Sequence, residues 1–110
     1  MSKERKLARI FSALSDETRI KILDFLILHG KLTVNQIREL IGTSLPAISY
    51  QLRILLSANL VKYEKKGKEK FFSITDENVR KILEDGVLYI NTHEKIDAEP
   101  IKNIYQNIIQ

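Results

Sequence analysis

Between Thr33 and Ala58 the chain writes two short helices with a forced stop between them, and no other stretch limits the fold as tightly. Thr33-Val34-Asn35-Gln36 has capping-box spacing: a threonine to accept from the first free backbone N–H groups and a glutamine three residues on to reach back. A helix is expected over 34–41, with Val34, Ile37, Leu40 and Ile41 turned inward. Gly42 supplies the C-terminal stop. Ser44 then caps a second helix, with Pro46 in its first turn, where a missing N–H costs nothing. That helix should run to about Ala58.

The flanks supply the rest of the core. Leu7, Ile10, Phe11 and Leu14 recur at helical spacing, so residues 3–14 read as a helix with one apolar stripe. Ser15 is the expected N-cap of the next helix, and Asp16 and Glu17 suit a helix N-terminus electrostatically. The helix over about 16–28 carries Ile20, Ile22, Leu23, Phe25, Leu26 and Ile27 around most of its circumference, as a buried central helix does. His29-Gly30 ends it. After residue 60 the period changes. Val61 and Tyr63, then Phe71 and Ser73, flank Lys65-Lys66-Gly67-Lys68-Glu69, which reads as an antiparallel hairpin turning at glycine. Thr75-Asp76 caps a further helix to about Thr92, with Val79, Ile82, Leu83, Val87 and Ile90 along one stripe. A polar connection leads to Pro100 and a last amphipathic helix bearing Ile101, Ile104, Tyr105, Ile108 and Ile109. The expected architecture is mainly α (α+β): a winged helix-turn-helix with a two-stranded hairpin wing and an extra C-terminal helix. Residues 1–92 would form the main domain, and 93–110 a linker and helix.

Composition narrows the function. The 110 residues suit one core. No apolar run reaches bilayer length, no secretory leader is apparent, and cysteine is absent, so a reducing cytoplasm is the expected setting and no membrane partner is expected. The first 75 residues hold 14 Lys and Arg against 7 Asp and Glu, whereas the last 35 hold 4 against 7. A polyanionic partner would meet the N-terminal two-thirds, although a solvated lysine-rich surface has the same composition. There is no nucleophile–base pair, glycine-rich phosphate loop or plausible carboxylate pair, so no enzyme is expected and no cofactor is implied.

At 100° per residue, Leu45, Ile48, Leu52, Leu55 and Leu56 share one face of the fourth helix. Pro46, Ala47, Tyr50 and Arg53 point away, with Ser49 and Gln51 on the flanks. A helix that anchors one face and offers compact polar groups on the other suits the major groove of DNA. Ala47, Ser49, Tyr50, Gln51 and Arg53 are the candidate base contacts; an ordinary amphipathic helix with a wet face is the plain alternative. Ile54 falls outward on this wheel and is expected at a junction with the wing. Ser44, Lys65, Lys66, Lys68 and Lys70 are candidate phosphate contacts. Lysines also protect edge strands from aggregation, and Ser44 also serves simply as a cap.

Three segments carry a resemblance. Ala13-Leu14-Ser15-Asp16-Glu17-Thr18-Arg19-Ile20-Lys21-Ile22-Leu23 is similar to the signature of the ArsR/SmtB family. Leu45-Pro46-Ala47-Ile48-Ser49-Tyr50-Gln51-Leu52-Arg53-Ile54-Leu55 resembles its recognition helix, and Ala58-Asn59-Leu60-Val61 its entry to the wing. The likeness spans roughly residues 7–90. It implies a double-stranded DNA-binding transcriptional regulator, a homodimer on a palindromic operator that usually represses. The dimer would be built from the first helix (Leu7, Ile10, Phe11) and the helix after the wing (Leu83, Val87, Ile90). The last helix is expected to join it through Ile101, Ile104, Tyr105 and Ile108; packing on its own subunit or docking another protein are the alternatives. A winged-helix adaptor between proteins remains an alternative function.

The family's metal sites do not carry over. One needs cysteines on the third helix, where this chain has Val34-Asn35-Gln36-Ile37-Arg38-Glu39. Another uses Asp and His after the wing. Asp76 matches one such position, but Asn78 stands where histidine is expected, and Leu88 or Tyr89 and Thr92 stand near the later ones. The expectation is no metal, with the sensor lost or replaced by one for a different ligand.

Overall fold

The computed structural model describes residues 1–93. The expected helix from Pro100, with Ile101, Ile104, Tyr105 and Ile108, lies outside the described residues. The chain divides after Thr75 into two compact units.

The first unit opens with α1, Lys3–Ala13, capped by the Ser2 hydroxyl, which accepts from Arg5 N–H at 3.1 Å. The cap of α2, Glu17–His29, is not the expected Ser15 but Asp16, whose carboxylate accepts from Arg19 N–H at 3.0 Å; the Ser15 hydroxyl instead donates to Ser12 O at 2.6 Å, at the end of α1. Then come β1, Leu32–Thr33; α3, Val34–Ile41; α4, Leu45–Ser57; and the wing strands β2, Val61–Lys66, and β3, Glu69–Ile74. The capping box forms: Thr33 Oγ1 accepts from Gln36 N–H at 3.2 Å, and Gln36 Oε1 accepts from Thr33 N–H at 2.8 Å. Gly42 ends α3 at φ +82°, in the left-handed region where a side chain would be strained.

The core lies where α2 meets α3, α4 and β3. Ile22, Leu23 and Leu26 of α2, Ile37 of α3, Ile48, Leu52 and Leu55 of α4 and Val61 of β2 are fully buried. Trimming any of these leucines or isoleucines to alanine should cost roughly 2–5 kcal/mol. Two wheel assignments fail at helix ends: Leu40 and Leu45 are 40% and 42% exposed. They flank the helix-turn-helix corner, Leu40 in the last turn of α3 and Leu45 at the first position of α4.

The sheet is antiparallel in the order β1-β3-β2. The hairpin was expected, but its third strand was not. Leu32 and Thr33 pair with Phe72 and Phe71, and two residues are too few to show a strand period. Asn59 takes the left-handed turn into β2 at φ +59°, and its carbonyl accepts from Thr75 Oγ1 at 2.8 Å. Asparagine tolerates this conformation better than other residues with a Cβ.

The second unit contributes α5, Glu77–His93, whose start is bonded by Asp76 Oδ1 accepting from Asn78 N–H at 2.8 Å. Val79 is buried and Leu83, Val87 and Ile90 are half-buried, while Leu88 and Tyr89 are exposed. Among the described residues no helix is long and apolar enough to cross a membrane.

Asp24 sits half-buried among the apolar residues of the middle of α2, and no hydrogen bond or ion pair holds it among the described residues. Burial pushes its carboxyl from 3.8 to about 6. The folded chain therefore holds this proton more tightly than the unfolded one. The associated stability is full below about pH 3.8 and is lost as pH rises through about 6. Asp24→Asn should raise stability at pH 7 by about 1 kcal/mol, after allowing for partial solvation, and the gain should vanish towards pH 4. Urea melts of both proteins at several pH values measure it.

Candidate nucleic-acid interface

The face of α4 opposite the core is a single stripe. Pro46, Ser49, Tyr50, Arg53 and Ser57 recur at three- and four-residue steps and are all exposed. Ser49, Tyr50 and Arg53 therefore stand together where a groove could receive them. A second stripe, Ala47, Gln51, Ile54 and Ala58, is half-buried. Two of the five candidate base contacts, Ala47 and Gln51, thus lie on the boundary between the wet face and the core.

Both stripes border α1. A groove of about 570 Å³ runs between α1 and α4, lined by Arg9, Ser12 and Ala13 on one side and Tyr50, Arg53, Ile54, Ser57 and Ala58 on the other. Ile54 borders this groove, which the wing does not line, so the expected helix–wing junction is corrected to a helix–helix one. Arg9, to which helical periodicity assigned no role, joins Tyr50 and Arg53 here.

Sequence reasoning also gave no separate role to Arg19. Its guanidinium donates from Nε to Ala13 O at 2.6 Å, from Nη2 to Ser12 O at 3.4 Å and from Nη1 to Gln51 Oε1 at 2.7 Å. One signal was available: a cation in the first turn of α2 opposes that helix's dipole, which calls for a compensating partner. The partners are the last carbonyls of α1, a helix with no basic residue in its own last turn.

Ser44 caps α4, its Oγ accepting from Ala47 N–H at 3.3 Å. Its hydroxyl proton stays available to donate to a phosphate oxygen.

The register of the wing separates its lysines. Lys65 lies directly opposite Lys70, whereas Lys66 lies opposite Glu69 and Glu64 opposite Phe71. Lys70 Nζ stands 4.6 Å above the Tyr63 ring, and Lys66 Nζ 5.9 Å from the Phe71 ring. Glu64 accepts from Lys31 Nζ at 3.2 Å. That hydrogen bond and the charge of Lys31, helped by Lys66 and Lys62, hold its carboxyl below the usual range. One face of the wing is therefore charge-balanced, and the other ends in a Lys65–Lys70 pair with no carboxylate partner among the described residues, with Lys68 in the turn. Like charges directly opposite in a sheet cost roughly 0.2–1 kcal/mol. A polyanion across them would turn that repulsion into attraction.

A helix-turn-helix with a polar outer stripe, followed by a basic hairpin, defines a winged-helix DNA-binding protein. Residues 16–63 match the arsR family of bacterial regulatory proteins. The chain is 39% identical over 83 residues to a cadmium resistance transcriptional regulatory protein, a CadC homolog of Staphylococcus aureus, covering 76% of this chain and 69% of that protein. It is 36% identical over 81 residues to the arsenical resistance operon repressor of Bacillus subtilis, covering 74% and 77%. The homodimeric winged helix-turn-helix DNA-binding domain of Mb0332 from Mycobacterium bovis, solved by NMR, superimposes with a TM-score of 0.75 at 26% identity, over 84% of this chain and 90% of that one. This chain belongs to the arsR family of transcriptional regulators, DNA-binding proteins rather than enzymes.

The metals in those relatives' names do not suit this donor set. The sequence has no cysteine, and no three His, Asp or Glu side chains cluster among the described residues. His29 stacks on Phe25 with ring centroids 6.4 Å apart; His93 stacks on Tyr89 at 4.2 Å, and its Nδ1 lies 3.0 Å from Tyr89 O. Each histidine is engaged one turn away on its own helix.

The wing supplies a test in which stability and binding move in opposite directions. Lys65→Glu should stabilise the fold by up to ~1 kcal/mol by replacing repulsion with attraction. It should weaken binding to any duplex and reduce the dependence of binding on salt. Thermal melts and salt-titrated anisotropy on random duplex read the two effects.

Proposed function

We propose that this chain is a homodimeric repressor whose two α4 helices read a palindromic operator, while the Lys65–Lys70 face of the wing, Lys68 and Ser44 hold the phosphate backbone. The exposed Ser49-Tyr50-Arg53 stripe behind a fixed helix-turn-helix carries this reading. Arg53 suits guanine, to which a guanidinium bonds in bidentate fashion. Arg9, beside it in the α1–α4 groove, suits a phosphate flanking the same half-site. Lys66, opposite Glu69, would contribute less than its three neighbours. The setting is the cytoplasm, where a regulator meets chromosomal DNA.

The homodimer rests on two unpartnered surfaces. Leu7 and Phe11 of α1 are 50% and 55% exposed, and Leu88 and Tyr89 of α5 are 52% and 62% exposed. Apolar side chains of this size grouped on helix faces mark surfaces that a partner covers. Ile10, Leu83, Val87 and Ile90, half-buried within one chain, would complete the contact. Two-fold symmetry would set the reading helices one helical turn of DNA apart, about 34–36 Å. Two relatives are named for cadmium and arsenical resistance; with this donor set, a different ligand or none would release the operator.

Two measurements test the proposal. Selection from a randomised duplex pool should enrich a two-fold symmetric sequence. Arg53→Ala should lower affinity for that sequence by about tenfold or more, with a much smaller loss on random duplex. Equal losses on both would remove Arg53 from base reading. Separately, Phe11→Asp should convert the dimer to a monomer by sedimentation at micromolar concentration, with helical content kept. A dimer of unchanged affinity would take α1 out of the interface.

A further inference from the structure

Arg19 does more than close the end of α1. A guanidinium is a planar fork of donors with no acceptor, so whatever it bonds must present an oxygen. At 2.7 Å from Arg19 Nη1, the Gln51 amide therefore has its orientation fixed: Oε1 is held towards Arg19. The amide nitrogen has no partner among the described residues. The other two arms of the same fork hold Ala13 O and Ser12 O, so the Gln51 carbonyl is referenced to the end of α1 through one rigid group. Gln51 belongs to the half-buried stripe of α4, one residue from Tyr50 and two from Arg53 on the exposed stripe.

A glutamine free to rotate is an ambiguous reader. With its oxygen and nitrogen both turned to the groove it pairs with adenine, accepting from N6 and donating to N7; with only its nitrogen forward it donates to guanine O6 or N7 or to thymine O4. We infer that Arg19 is a positioning residue for base recognition: it holds the Gln51 carbonyl, so Gln51 acts as a hydrogen-bond donor only and favours guanine or thymine, whose major-groove edges offer acceptors alone, over adenine, whose N7 acceptor stands beside the N6 donor. The inference rests on the DNA-reading role of α4. The same link ties α4 to α1, so a shift of α1 within a dimer would reach the reading helix through this fork.

The experiment is duplex selection with the full chain as wild type, Gln51→Ala and Arg19→Lys, with thermal melts alongside. Gln51→Ala locates the base pair that Gln51 reads, as the one position where preference is lost. Arg19→Lys, which keeps the charge but cannot span three acceptors, should lose about tenfold of discrimination at that same pair, keep the preference at the Arg53 position, and keep the salt dependence on random duplex. Even losses at every position would assign Arg19 a purely structural role and overturn the inference, as would preferences left intact. Base analogues on the wild type give an arm that needs no folded Arg19 variant. Removing the 6-amino group from an adenine at that pair should change binding less than twofold, and a tenfold loss would show that the Gln51 oxygen reads it and overturn the donor assignment. A wild type that enriches no sequence would instead defeat the reading of α4 as a DNA reader, and this inference with it.

Discussion

Ile48, Leu52 and Leu55 lie on one face of the thirteen-residue α4 and have almost no contact with solvent, and their burial dictates what the rest of that helix can do. A helix anchored along one face cannot roll, so Ser49, Tyr50 and Arg53 are presented at fixed angles. The capped α3, the left-handed Gly42 and the Ser44 cap then fix where α4 begins. Reading a duplex needs such a pre-set helix, because each mobile side chain or helix would have to be ordered on binding at an entropic cost. The hydrophobic core and the recognition surface are two faces of one constraint.

Around that helix the electrostatics are arranged for a partner rather than for the free chain. Lys65 and Lys70 face each other across the wing although Glu64 and Glu69 lie close by in sequence, so the pleat of the strands separates a balanced face from an unbalanced one. Arg9, Tyr50 and Arg53 meet in the groove between α1 and α4. Half-buried Asp24 marks a cost of a different kind, a carboxyl that burial keeps harder to ionise. None of these features helps the isolated fold, and two of them would gain from a polyanion.

Much of this was legible in the sequence because it is written in local chemistry. The capping box at Thr33 and Gln36, the stop at Gly42, the Ser44 cap and the glycine turn of the wing each act within four residues, and each formed as read. Most of the exposed stripe of α4 followed from periodicity, but Ala47, read as pointing out, is half-buried, and Ser49, read as a flank, is exposed. What escaped depends on contacts far along the chain. β1 exists because β3 offers it an edge, and Leu32 and Thr33 carry no period of their own. Gln51 looked like a free polar side chain until Arg19, 32 residues earlier, was seen to hold it. Ile54 was assigned to the wing because a helical wheel shows which side chains point out, not which neighbour they meet. Leu40 and Leu45 show the same limit at helix ends.

In the proposed dimer, two α4 helices enter successive major grooves on one face of a duplex. Footprinting of guanine N7 in the major groove, on a selected duplex with the wild-type protein, examines that arrangement. Two protected clusters are expected, related by two-fold symmetry and centred about 10 base pairs apart. A single cluster, or a bound duplex whose guanine N7 atoms all stay reactive, would overturn this arrangement.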